Sequence, residues 1–270
     1  METLYPTIGK SYKNRFQFRI GTTSYIYTAP ILPNAMSLAP FLDEIELVLF
    51  ESSGEDNLPG EETIRSLRSV SVESSVHFNV HLPIDIFLGD HRGTVRSAGV
   101  RIVKKFIERT LPLSPSTYTL HFSPRDETGQ DASDLVRWKA HLIKSTEEIL
   151  EVGIQASAIS IETLGYPFEW IEDVVKMFGL STCLDLGHLL LKGFDLRGYL
   201  ERYLPDASIV HLHGLRNGTD HLGIDHLEGE TLNLILSYLR HFQGILSIEV
   251  FSFDDLNNSL RVLEERWRTG

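Results

Sequence analysis

The chain has 270 residues, 42% hydrophobic and 23% charged, enough apolar content to bury a large core and too much for a disordered protein. Its net charge of -12 repels a polyphosphate backbone, so nucleic acid is not an expected partner unless basic residues gather on one face. A single cysteine, Cys183, excludes an intrachain disulfide; the start of the sequence shows no secretory leader and no run approaches the ~20 apolar residues of a membrane span, so a cytoplasmic protein without membrane contact is expected.

Short strand-like runs alternate with amphipathic segments along the whole chain, the signature of βα units. The pattern predicts strands over residues 16–21, 45–50, 76–82, 117–122, 157–162, 181–186, 208–213 and 245–250. A helix over 34–42 is expected after the first strand. One carrying Ile64 and Leu67 follows the second, and one with Val100, Val103 and Ile107 on a stripe follows the third. The next helix, over 132–151, starts near Ser133 or Asp134 as a cap and buries Leu135, Trp138, Leu142 and Ile149. Ile171, Val174, Val175 and Phe178 fall at i, i+3, i+4 and i+7. Helices over 196–203 and 231–241 come next, and a last one carries Leu256, Leu260, Leu263 and Trp267. Eight such units predict an α/β fold, a single-domain (β/α)8 TIM barrel spanning residues 1–270. Neither G-x-G-x-x-G after the first strand nor a phosphate-binding G-x-x-x-x-G-K-[ST] occurs, which removes the main signatures of nucleotide-cradling folds.

Side chains alternate across a strand, so every second residue of a barrel strand points into the lumen. With the aliphatic residues facing the helices, the inward positions are His77, Asn79 and His81 on the third strand, and Thr119 and His121 on the fourth. They continue with Ser160 and Glu162, Cys183 and Asp185, His211 and His213, then Ser247 and Glu249. Six consecutive strands therefore bring His, Asp or Glu to their C-terminal ends, the face on which barrel active sites are built. Asp185 and His188 add a D-x-x-H turn. Unpaired buried charge is costly, so this grouping predicts a metal site. Histidines mixed with carboxylates suit zinc, manganese or iron, and the number of ligands predicts two or three ions per chain. His77, deepest of its strand's inward positions, is expected to be a core residue.

With these residues in view, the chain resembles the xylose isomerase-like barrels, the superfamily of AP endonuclease family 2 and of many sugar isomerases and epimerases. The resemblance implies a metal set of His81, His121, Glu162, Asp185, His188, His211, His221 and Glu249, with Glu162 and Glu249 at the reacting centre. His213 and Asp220 are possible additions. The loop departs from the endonuclease pattern, because Thr219 stands where an aspartate is expected, and Asp225 with His226 competes for the role. Several stretches are similar to the cobamide-remodelling phosphodiesterases (the CbiR group): Gly21–Tyr27, Asp43–Ser52, Asn79–Pro83 with Asp85, Tyr166–Glu169, and His211–Gly214 with Asp220 and His221. That likeness implies a hydrolase that opens the nucleotide-loop phosphodiester of a cobamide, with zinc the expected metal and a corrinoid the small-molecule substrate. Tyr25, Tyr27, Tyr166 and Phe168 would then meet the corrin or its base, or else pack against one another. The second expectation is a sugar isomerase or epimerase with one metal held by Glu162, Asp185, His211 and Glu249, leaving His81 and His121 to contact sugar hydroxyls.

Overall fold

The computed structural model describes residues 5–53, 57–125 and 132–269. Eight parallel strands close into a barrel: β1 (Arg19–Thr23), β2 (Glu44–Val48), β3 (His77–His81), β4 (Tyr118–Leu120), β5 (Ile159–Glu162), β6 (Ser181–Asp185), β7 (Ala207–Leu212) and β10 (Ile245–Ile248). β10 pairs with β1 and shuts the ring. A hairpin of β8 (Gly214–Arg216) and β9 (Thr219–Leu222) stands on the loop after β7. The helices are α1 (Ile31–Leu38), α2 (Glu61–Ser74), α3 (Gly93–Thr110), α4 (Ala132–Leu150), α5 (Glu172–Phe178), α6 (Leu186–Lys192), α7 (Leu196–Tyr203), α8 (Gly229–Leu239) and α9 (Phe253–Thr269).

The outward strand residues and the apolar stripes of the helices form the continuous core. Ile45, Leu47, Phe78, Val80, Ile161, Leu184, Val210 and Leu212 on the strands are all buried. So are Val100, Val103 and Ile107 of α3 and Leu256, Leu260 and Leu263 of α9. None of the described helices is long and apolar enough to cross a membrane.

Two predicted boundaries move, each for a packing reason. β1 begins at Arg19, not at residue 16, because Phe16 and Phe18 stack at 5.0 Å and both meet the Trp267 ring of α9 edge-on beneath the barrel. The turn after β6 is a helix: Asp185 caps α6, its Oδ1 accepting the His188 amide hydrogen at 2.7 Å. His188 therefore rides on the first turn of that helix and not in a free loop. Ser133 and Asp134 lie inside the first turn of α4. His77 is exposed at the N-terminal opening and is not a core residue, since the strand emerges into solvent there.

The lumen itself is polar. Below the strand ends Cys183, Ile209 and Ile245 form a small apolar plug, but Glu44, Glu46, Asn79, Thr119, Ser160 and Ser247 are fully buried beside it. Gly21 makes this possible on β1, because a Cβ there would lie 2.9 Å from the Glu44 Cβ. Burial pushes the Glu44 carboxyl up to about 7, against the pull of Arg19 at 3.5 Å. A carboxyl whose pKa is higher folded than unfolded stabilises the fold fully below about pH 4.5, and that contribution is lost as pH rises through about 7. Glu44→Gln should therefore gain on the order of 3 kcal/mol relative to the wild type between pH 4.5 and 8. Urea midpoints of the two proteins across that range measure it, and parallel pH profiles would refute it.

Candidate metal centre

Four side chains from four strands meet at one point on the C-terminal face. His211 Nδ1 lies 3.2 Å from Glu249 Oε2, 3.9 Å from Asp185 Oδ2 and 4.0 Å from Glu162 Oε2. All four residues are buried. Among the described residues, Asp185 Oδ2, His211 Nδ1 and Glu249 Oε2 have no hydrogen-bond partner, although each is cut off from solvent. Buried polar atoms are nearly always satisfied, so a convergent set of orphans marks the place of a further partner. Three carboxylates and one imidazole nitrogen around that point fit a divalent cation.

Two further groups flank this centre. On one side His81 Nε2 and His121 Nε2 both reach Glu162 Oε2, at 3.0 and 2.8 Å. On the other side His188 Nδ1 lies 3.2 Å from Asp185 Oδ2 and 3.4 Å from Glu162 Oε1. His221 Nε2 is 3.6 Å from Glu249 Oε2, and Asp220 holds the opposite ring nitrogen of His221 at 3.1 Å. His213 stacks on His221 with centroids 4.2 Å apart. His221 itself adopts a φ of 55°, a conformation that costs a residue with a Cβ about 1–3 kcal/mol. The structure thus gathers every expected metal residue, His81, His121, Glu162, Asp185, His188, His211, His221 and Glu249, into one cluster at the C-terminal face, with His213 and Asp220 at its edge. Asp225 and His226 are exposed on the short turn after β9 and lie apart from it.

The electrostatics point the same way. Burial alone would lower the His188 pKa, but Asp185 and Glu162 drive it up to about 10. Burial likewise opposes charge on His221, and contact with Glu249 and Asp220 raises it to about 9. Glu162 and Glu249 are held well below the usual carboxylate range despite their burial, Glu162 chiefly by His121 and Glu249 by His211. Without a metal, protons on the histidines supply the positive charge this cavity demands.

Glu46 on β2 also joins this cluster, and the sequence reading passed over it. Its Oε1 accepts from His211 Nε2 at 3.0 Å across the lumen, and its Oε2 accepts from Ser247 at 2.8 Å. That bond keeps His211 Nε2 a donor and turns Nδ1 to the centre, the usual job of an outer carboxylate. Burial opposes charge on the ring, but Cys183, Glu249 and Glu46 raise its pKa well above the ordinary value, so an ion at Nδ1 would displace a proton. The signal was available: strand alternation on β2 puts Glu46 inward by the same rule that placed Glu162. Phe50 and Phe251 also went unnoticed. The Phe50 ring stands edge-on to His81 at 4.8 Å, and Phe251 lies 5.3 Å from His221, so the pair forms an apolar wall beside the centre.

The four aromatic residues proposed for substrate contact divide. Tyr27 is buried, hydrogen-bonded to the Pro6 carbonyl and packed on Tyr5 and Phe253. Tyr166 is buried between Trp138 and Trp170, with its hydroxyl on the Phe122 carbonyl. Phe168 is buried against Tyr203. These three pack in the core; Tyr25, 53% exposed, has free surface.

No family model and no curated protein matches the sequence. Solved structures do match. A D-tagatose 3-epimerase-like protein superposes with a TM-score of 0.74 at 21% identity, covering 93% of this chain and 97% of that one. A D-psicose 3-epimerase from Clostridium cellulolyticum gives 0.72 at 11% identity, with coverage of 93% and 98%. Endonuclease IV from Thermus thermophilus gives 0.71 at 16% identity, with coverage of 93% and 100%. The fold is a TIM barrel of the kind these neighbours share. At such identities the likeness is one of fold. It nevertheless overturns the expected cobamide phosphodiesterase: these neighbours are in the main sugar epimerases, the other of the two expectations.

The geometry makes two outcomes measurable. Replacing Glu46 with Gln should weaken divalent-metal affinity about 10–100-fold while leaving the fold intact, because His211 loses its tautomer lock. Competition against a chromogenic chelator measures this, and unchanged affinity would refute it. Metal uptake at neutral pH should release protons, because His188 and His221 are protonated in the metal-free cavity and a cation displaces that charge. Affinity should accordingly strengthen between roughly pH 6 and 9. Calorimetry in two buffers of different ionisation heat counts the protons, and uptake without release would contradict the assignment.

Proposed function

We propose that the chain is a metal-dependent epimerase or isomerase of a small sugar. The observation that carries this reading is the convergence of Glu162, Asp185, His211 and Glu249 on one point, with the two glutamates on strands separated by β6 and β7. A divalent ion in that set supplies Lewis-acid polarisation of a carbonyl oxygen and its neighbouring hydroxyl. The ions that suit three carboxylates and one histidine are manganese, zinc and iron.

The protein's own residues then account for a proton transfer next to the carbonyl. Glu162 and Glu249 are both held ionised, the state a general base requires. One, as the carboxylate, takes the proton from the carbon beside the carbonyl; the other, having first taken a proton from solvent, gives that proton to the opposite face, which inverts the carbon and leaves the two glutamates with exchanged protonation states. His81 and His121, both hydrogen-bonded to Glu162, keep its carboxylate oriented. His188 lies beside Asp185 and Glu162, within reach of a hydroxyl on the same substrate. The wall of Phe50 and Phe251 offers an apolar surface to the C–H face of a sugar chain, while the histidines offer hydrogen bonds to its hydroxyls. Net charge of -12 favours a neutral sugar over a polyanion.

The reading requires one tightly held ion, against the two or three that the ligand count suggested, so metal content per chain bears directly on it. Metal-loaded protein incubated with ketopentoses and ketohexoses in heavy water should interconvert epimers and incorporate deuterium at the inverted carbon. Glu162→Gln and Glu249→Gln should each slow the exchange about 10²–10⁴-fold. No exchange on any ketose with manganese, zinc or iron supplied would sink the reading.

A further inference from the structure

The histidines around the centre are not equivalent, and the backbone sorts them. His81 donates from Nδ1 to the Leu82 carbonyl at 3.0 Å, so in its neutral form Nε2 is bare and faces Glu162. His211 donates from Nε2 to Glu46, so in its neutral form the bare nitrogen is Nδ1. His213 is framed the opposite way from His81. Its Nδ1 accepts the backbone N–H of His221 at 3.0 Å. An amide always carries its hydrogen, so Nδ1 has a lone pair there, and the neighbouring Gly214 carbonyl at 3.3 Å is a contact rather than an acceptor. The proton of a neutral ring is therefore on Nε2, whose neighbour is Asp185 Oδ1 at 3.4 Å, an approach that stops short of a formed hydrogen bond.

We propose that His213 is a positioning residue that acts through Asp185 and not a metal ligand. Its Nε2–H and the His188 amide both approach Asp185 Oδ1, leaving Oδ2 as the only oxygen of that carboxylate turned to the centre. A neutral ring whose Nδ1 lone pair is taken by an amide hydrogen carries its proton on Nε2, so neither nitrogen has a lone pair to give an ion. The ring is also held in place. It lies parallel to His221, with 12° between the planes, and a Cβ on Gly187 would sit 2.1 Å from its Cε1. Gly187 is a glycine for this reason: its φ is not in the left-handed region, and it stands inside α6, where its missing side chain makes room for the His213 ring. The D-L-G-H stretch from Asp185 to His188 thus holds three parts of one device: the carboxylate, the space for the ring that orients it, and the amide that caps it.

The inference rests on the metal reading of the site and is independent of which sugar is turned over. Long-range proton–nitrogen NMR of the side-chain rings tests it first in metal-free protein and then in zinc-loaded protein. The Nε2–H tautomer of His213 should persist through loading, while His211 shifts to a metal-bound pattern. A bare or metal-bound Nε2 on His213 would overturn the proposal, whereas a chain that took up no ion at all would overturn the metal reading and leave the tautomer on record. Titration of variants supplies a second readout. His213→Ala should weaken metal affinity about 10–100-fold with the number of ions per chain unchanged. His213→Gln, which carries an N–H donor at a similar reach, should recover most of that loss. Loss of one ion per chain in both variants would mark His213 as a ligand and refute the proposal.

Discussion

Everything at the C-terminal face of this barrel follows from one constraint: several carboxylates are buried in a lumen that water does not reach. Glu46, Glu162, Asp185 and Glu249 are all almost fully buried, and an isolated buried carboxylate is expensive enough that it either takes a proton or acquires a cation. Here Glu162 and Glu249 stay ionised, and the histidines around them take the protons instead. On its own the cavity is a stack of imidazolium–carboxylate pairs, a costly arrangement that a divalent ion at the bare atoms relieves. Glu44, farther down the lumen and distant from any such partner apart from Arg19, shows the alternative outcome, a carboxyl pushed upward.

Much of this was legible in the sequence because the side-chain period of a strand is two. Once Ile159 and Ile161 are assigned to the helices, Ser160 and Glu162 are committed to the lumen, and the same step places Asp185, His211 and Glu249. The rule fails where the strand itself ends. His77 obeys the alternation but lies where β3 meets solvent, so an inward direction does not amount to burial. The rule was sound but unused on β2, where Glu46 lies between Ile45 and Leu47. Residues outside the strands carried no such signal. His188 is oriented by a helix whose cap is Asp185, and Phe50 and Phe251 owe their position to strand ends meeting across the mouth.

Substrate was the least legible property, and the reason is physical. Short stretches such as Asn79–Pro83 and Gly21–Tyr27 describe how strands leave the barrel and how loops fold back upon it. Asn79 lies deep in the lumen near Glu44, and Tyr27 is sealed under Tyr5 and Phe253. Likeness in such segments reports a way of packing this fold. Function lives in the site, and here the site is a set of oxygen and nitrogen atoms with a direction to each lone pair.

Those directions also bear on how many ions the cavity holds. Four acidic side chains meet His211, Glu46, Glu162, Asp185 and Glu249, more negative charge than a single divalent ion balances. His81, whose pKa is raised because Glu162 outweighs its burial, supplies a compensating proton through the same Nε2 that touches Glu162. His81 and His121 then have a structural reason to be present, both hydrogen-bonded to Glu162. A second ion between His81, His121 and Glu162 would have to displace the hydrogen bonds that both rings make to Glu162 and would compete for the lone pair of a glutamate proposed to accept a proton. The proposed proton transfer at Glu162 thus favours one ion, with His81 and His121 kept as hydrogen-bond partners of that glutamate.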